Sequence, residues 1–314
     1  MLRAMDSAVS GLRAHQQKLD VIGHNIANVN TVGYKTQSYT FKEAMYQSST
    51  SSTAGTENSG GVNPSQYGYG SMMGSISVDM SASTPTYVGG FSATIDGEGF
   101  FITSVEKKNA GVGTGSADMK GADFDYTRVG KFKVDSNGYI VDGNGNYVYG
   151  FRGSAAPGTN STLQALRIPG SIQGDNSVLP GDITDSGDPT DALEAKSVKI
   201  NKAGNVEATV VVNGESTTVV IGTVAIATFQ NQEGLMKDGG NYYKDSESSN
   251  TGVCSAGAPG DNRATLMPGY LEASNVDMAV EFSEMIMAER GFQANSKIIT
   301  VSDEILSDLI NMKR

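Results

Sequence analysis

Two histidines, one cysteine and 34 acidic side chains are the raw material for any catalytic or metal site in this chain of 314 residues. His15 and His24 lie more than one helical turn apart, with no cysteine or acidic pair at ligand spacing, so both are expected on the polar face of a helix. Cys254 stands alone, which rules out an intrachain disulfide or a thiolate cluster and leaves an incidental loop thiol or an intermolecular crosslink. No Gly-x-Ser-x-Gly elbow is present. Asp123 and Asp125 have the residue type for glycoside hydrolysis, but close acidic pairs arise by chance in so acidic a chain. The run Asp142-Gly-Asn-Gly-Asn146 imitates the first half of a calcium loop. It then places Tyr147 where glycine is needed and Gly153 where a bidentate glutamate is needed, so a hairpin turn is expected. Gly111-Val-Gly-Thr-Gly115 fits neither nucleotide-binding spacing and has no helical pattern after it, which predicts a flexible loop. No cofactor, metal or catalytic group is therefore expected.

The elements that would carry function lie at the ends. Residues 2–29 have apolar side chains at helical spacing, and Met5, Leu12, Leu19 and Ile26 recur every seven residues along about 40 Å. The run Asn30 to Gly33 ends the pattern with turn residues. At the other end Met278, Met285, Phe292, Ile299 and Leu306 form a second heptad row, flanked by Phe282, Ala288, Ile298, Ile305 and Leu309. Ser274 to Asp277 is a candidate capping box ahead of it.

Between the ends, short alternating apolar segments separated by Asp-Gly and Asn-Gly predict a hairpin-rich β region. Its strands are expected at 92–95, 100–103, 130–134, 139–141, 197–200, 206–212, 217–221 and 224–228, with Asn213-Gly214 as a turn. The fold class is thus α+β: a mainly β middle with long terminal helices forming a coiled-coil assembly domain. Four regions follow. Residues 1–33 with 275–314 form the helical core, 34–74 an extended linker or wrap, 75–150 with 196–274 the main β domain, and 151–195 a small irregular insertion. A net charge of −11 disfavours nucleic acid and anionic lipid, and no apolar run is long enough to span a bilayer. The N-terminus lacks a cleavable secretory signal pattern.

The segment from Gln17 to Lys35, carrying Asn25, Asn28, Asn30, Thr31, Gly33 and Lys35, resembles the N-terminal signature of bacterial flagellar rod and hook proteins. Ser274-Asn-Val-Asp277, with Met278, and the stretch from Met287 to Lys297, containing Arg290 and Gly291, resemble the C-terminal helix of the same family. Asn63-Pro-Ser-Gln66 and Asp96-Gly-Glu-Gly-Phe-Phe101 extend the resemblance inward; 151–195 fits least well. The resemblance implies a non-enzymatic subunit of a hollow tube, polymerised with copies of itself through Met5, Leu12, Leu19, Ile26, Met278, Phe282, Met285, Phe292, Ile299 and Leu306. It further implies passage through the flagellar type III export apparatus without a cleaved signal. The implied location is the hook and basal body, beside distal rod, hook cap and hook–filament junction proteins, with no nucleic acid and no membrane insertion. Within the family the material at 151–195 favours a bendable hook over the distal rod. A secreted β-rich adhesin or carbohydrate-active protein is the reading from another class, and the heptad-bearing ends argue against it.

Overall fold

A computed structural model describes residues 2–55, 60–108, 112–152, 162–168, 195–212, 215–245, 249–260 and 263–312. The chain forms two compact units. One comprises Met1–Val29, Thr36–Asp79 and Val276–Arg314; the other comprises Asn30–Lys35 and Met80–Asn275.

In the first unit, helix α1 (Leu2–Ala27) is set by its three- and four-residue apolar spacing. The chain enters strands β1 (Gln37–Glu43), β2 (Tyr46–Thr50), β3 (Ser65–Gly68) and β4 (Ser71–Val78), which pair antiparallel as β1 with β4 and β2 with β3. The tract at 34–74, expected as an extended linker or wrap, carries β1 to β3 and the start of β4. Too few large aliphatics are present for a core of its own; β1 and β4 lie against α1, and β2 and β3 stay exposed. Tyr39 is buried, its hydroxyl donates to Gln17 Oε1 at 3.2 Å, and its ring meets Phe41 edge-on at 5.0 Å.

In the second unit the strands are β5 (Pro85–Tyr87), β6 (Ala93–Asp96), β7 (Phe100–Ser104), β8 (Asp125–Thr127), β9 (Phe132–Val134), β10 (Ile140–Asp142), β11 (Tyr147–Arg152), β12 (Leu163–Ala165) and β13 (Ala195–Ile200). They continue as β14 (Asn205–Val212), β15 (Glu215–Val224), β16 (Ile226–Phe229), β17 (Met236–Gly239), β18 (Tyr242–Lys244), β19 (Cys254–Gly257), β20 (Thr265–Pro268) and β21 (Tyr270–Glu272). Among the described residues the main sheet runs β13-β14-β15-β11-β7-β8-β18-β17, with β16 joining β7 to β19. The smaller pairs β6 with β20 and β5 with β21 tie the start of the unit to its end.

Strand β7 explains why this unit has two cores. Its continuous apolar run buries both faces: Phe100 and Ile102 join Phe124, Tyr126, Tyr149 and Tyr243, whereas Phe101 joins Phe132, Ile140, Val148 and Ile226. Each fully buried large side chain contributes about 1.5–3 kcal/mol to these two cores.

Several sequence expectations change here. The expected strands at 217–221 and 224–228 become β15, running unbroken through Gly222 to Val224, and β16. A Cβ on Gly222 would stand 2.4 Å from Phe151 O, so glycine lets β15 approach β11. Asn213 and Gly214 lie outside the described residues. So does most of the expected insertion at 151–195, although Leu163–Ala165 pairs with β11 inside the core. A short helix, α2 (Ser116–Gly121), follows the glycine run where none was expected.

Helix α3 (Met278–Met312) closes the first unit. Its cap is Asp277, whose Oδ1 accepts from Ala279 N at 2.8 Å and Val280 N at 3.4 Å. The expected capping box starting at Ser274 does not form the cap; Ser274 O instead accepts from Ser83 Oγ at 2.9 Å.

Candidate assembly surface

Helices α1 and α3 run antiparallel, and several small and polar residues meet between them. Asn25 Nδ2 donates to Glu281 Oε1 at 2.9 Å, and Lys18 Nζ lies 3.1 Å from Glu284 Oε2. Further along, a Cβ on Gly291 would stand 2.5 Å from His15 Cε1, and one on Gly11 would stand 2.7 Å from Asn295 Nδ2. The glycines allow close approach that a larger side chain would block. Ala8, Ala14, Ile22, Ala288 and Ser302 are buried in this unit.

The heptad residues singled out for assembly differ in exposure. Met5, Leu12, Leu19, Ile26, Met285, Ile299 and Leu306 are half-buried. Met278, Phe282 and Phe292 are exposed at 43, 46 and 37 %. With Ile286, Ile298, Ile305 and Leu309, also exposed, they leave α3 apolar on more than one side. His15 was expected on the polar face; it packs instead against α3 at Gly291 and against Phe41. His24 is exposed.

The signature residues divide between two anchoring networks. In the first unit Asn25 is 1 % exposed: Nδ2 also donates to Gln37 O at 2.8 Å, and Oδ1 accepts from Gln37 N at 3.0 Å. Burial raises the pKa of its partner Glu281, and the Asn25 hydrogen bond opposes the shift. Asn28 Nδ2 donates to His24 O at 2.9 Å. In the second unit Lys35 is fully buried, with Nζ 2.7 Å from Glu272 Oε1 and 2.6 Å from Ser81 O. Arg128, also buried, lies 3.6 Å from Glu272 Oε2 and donates to Gly97 O at 2.8 Å. Burial lowers the Arg128 pKa, and Glu272 opposes the shift. Gly33, at φ +70°, donates its N–H to Glu272 O at 2.9 Å, a conformation glycine adopts without strain. Thr31 O accepts from Tyr34 N at 3.3 Å, and Asn275 N donates to Tyr34 O at 3.4 Å. Asn30 and Arg290 are exposed, the latter bonded to Gln293 Oε1 at 3.2 Å, and Val276 is half-buried.

The groups weighed for chemistry are engaged in the fold. Asp142 Oδ1 accepts from Asn144 N at 2.9 Å and Asn146 N at 3.0 Å, and Oδ2 accepts from the Tyr242 hydroxyl, as a β10–β11 turn requires. Asp123 and Asp125 line a cleft with Glu106, Lys108 and Lys244. Lys244 lies 3.8 Å from Asp125 Oδ1 and 2.9 Å from Asp238 Oδ2. Burial raises the Asp125 pKa, and Lys244 opposes this most strongly. Cys254 is no loop thiol: it is buried in β19, donates to Met119 Sδ at 3.6 Å, and burial pushes its pKa up to about 12. The folded chain thus withholds it from intermolecular crosslinking. No described helix is long and apolar enough to cross a membrane.

Three family models match. Residues 5–35 match the flagella basal body rod protein model, and 94–208 match the flagellar hook protein FlgE/F/G D1 domain. Residues 267–312 match the flagellar basal body rod FlgEFG protein C-terminal model. The chain is 39 % identical to the flagellar basal-body rod protein FlgG of Bacillus subtilis (strain 168) over 316 positions, covering all of both chains. The chain belongs to the flagellar rod and hook family. Another family member, the hook protein FlgE of Borreliella burgdorferi, is 27 % identical over 459 positions, again covering both chains. The FlgG of Caulobacter vibrioides is 28 % identical, covering 97 % of each.

The matched terminal models contain both anchoring networks, Asn25 with Glu281 and Lys35 with Glu272. Sequence reasoning reached Asn25 and Lys35 but missed their partners Glu281, Glu272 and Arg128. The missed residues are acidic and basic side chains of ordinary appearance. Glu272, just ahead of the C-terminal signature, and Glu281, between its two stretches, had a positional hint; Arg128 had none.

Proposed function

We propose that this chain is a structural, non-catalytic subunit of the distal rod, polymerising with copies of itself through its terminal helices. The observation that carries the rod reading is the end-to-end match to FlgG of Bacillus subtilis: 316 aligned positions for a chain of 314 residues. The segment 151–195, which favoured a hook by its apparent excess, falls within that match and loses its force. The hook relative needs 459 positions, so it carries a large block of sequence that this chain lacks.

Self-assembly is supported by the exposed apolar side chains of α3, which in a packed polymer would each contribute about 1.5–3 kcal/mol if fully buried. Export through the flagellar apparatus and contact with neighbouring rod and hook components belong to the same proposal. The test is genetic. Expressed in a Bacillus subtilis strain lacking FlgG, the chain should restore basal bodies with a complete rod, seen by electron microscopy, and swimming. Restoration of a strain lacking its hook protein, with no rescue of the FlgG-deficient strain, would overturn the rod reading in favour of the hook.

A further inference from the structure

The chain has two histidines, and one is set into the contact between its long helices. The His15 ring lies against α3 at Gly291, and its centroid is 5.2 Å from that of Phe41. Its Nδ1 is buried without a hydrogen-bond partner. A neutral imidazole fits there between a glycine backbone and an aromatic ring, whereas an imidazolium needs acceptors for two N–H groups.

We propose that His15 is a proton-sensitive latch on the α1–α3 pair: neutral His15 permits close packing at Gly291, and protonation drives the helices apart. The charged groups around it reinforce this. On α1, Lys18 is the neighbouring charge, and on α3, Glu284 is already occupied by Lys18 at 3.1 Å. Strand β1 presents Phe41; its Glu43 accepts from the Tyr46 hydroxyl, and Lys42 adds only positive charge. Strand β4, paired with β1, contains no charged residue. Burial first, and Lys18 second, lower the His15 pKa. The paired state therefore keeps its full stability above the ordinary histidine value near pH ~6.5 and loses it as pH falls from there towards the depressed value. Over that window the closed-to-open ratio falls by up to about tenfold per pH unit.

This inference is independent of whether the subunit serves rod or hook. The experiment follows helical circular dichroism of the full chain from pH 8 to 5, beside the variant His15→Asn, which cannot titrate. Wild type should lose helical signal reversibly as pH drops below ~6.5, and His15→Asn should stay flat. An unchanged wild-type signal, or loss with the same midpoint in the variant, would sink the proposal. A second measurement covers a variant that fails to pair: in His24→Asn the remaining imidazole resonance reports His15 directly by NMR. A titration midpoint below the free value supports the latch, and a midpoint at or above it overturns the latch.

Discussion

At the scale of single residues, the organising group is a carboxylate. Glu272 is 2 % exposed and holds two cations, Lys35 at 2.7 Å and Arg128 at 3.6 Å. Removing its charge takes from two buried cations the carboxylate they share, whereas removing Lys35 leaves Glu272 its second partner. Glu272→Gln should therefore cost about 3–5 kcal/mol, the range for an orphaned buried charge, and more than Lys35→Met. Urea unfolding followed by tyrosine fluorescence would measure both; a smaller loss from Glu272→Gln than from Lys35→Met would contradict this account. Lys35 was legible in the sequence as part of a signature, but not as a buried ion. Its partner lies 237 residues away, and no local pattern encodes so distant a pairing.

At the scale of elements, legibility divides by what each pattern reports. Helical spacing reveals α1 and α3 because period is a property of one segment, and alternation with turn residues reveals β6, β7, β9, β10 and β14 for the same reason. What escapes is the set of small and polar close approaches to α3, at Gly11, His15, Lys18 and Asn25, because apolar period reports only large side chains such as Met5, Leu12 and Leu19. The strands of 37–78 escaped as well: β1 and β4 lie against α1, and β2 and β3 are exposed throughout, so neither pair needs an apolar alternation of its own. Two neighbouring positions separate the faces experimentally. Gly291→Ala improves intrinsic helix propensity by about 1 kcal/mol, yet its Cβ would press on the His15 ring at 2.5 Å. It should lower the helical signal of the isolated subunit. Phe292→Asp, at a partly exposed position, should leave that signal unchanged and abolish tubes seen by electron microscopy. Normal tubes from Phe292→Asp would remove this side of α3 from the proposed polymer contact.

At the scale of the whole molecule, six residues of the N-terminal signature, Asn30–Lys35, belong with the β-rich unit although the sequence on both sides of them does not. A fragment of residues 30–275 should consequently unfold at higher urea than a fragment of residues 36–275, which lacks Lys35 and the Gly33 turn. Equal midpoints would show that the segment adds nothing. The same bonds bring three separate passages of chain to one point. Lys35 Nζ reaches Ser81 O and Glu272, Ser83 N donates to Glu272 Oε1 at 3.1 Å, and Ala273 N donates to Thr84 O at 3.2 Å. Everything between residues 84 and 272 is thus a closed excursion with its mouth sewn shut. Such a base lets evolution lengthen or shorten what hangs from it while the spacing of the two terminal signatures stays fixed. A family can then vary the bulk of its members and still present the same ends to be joined.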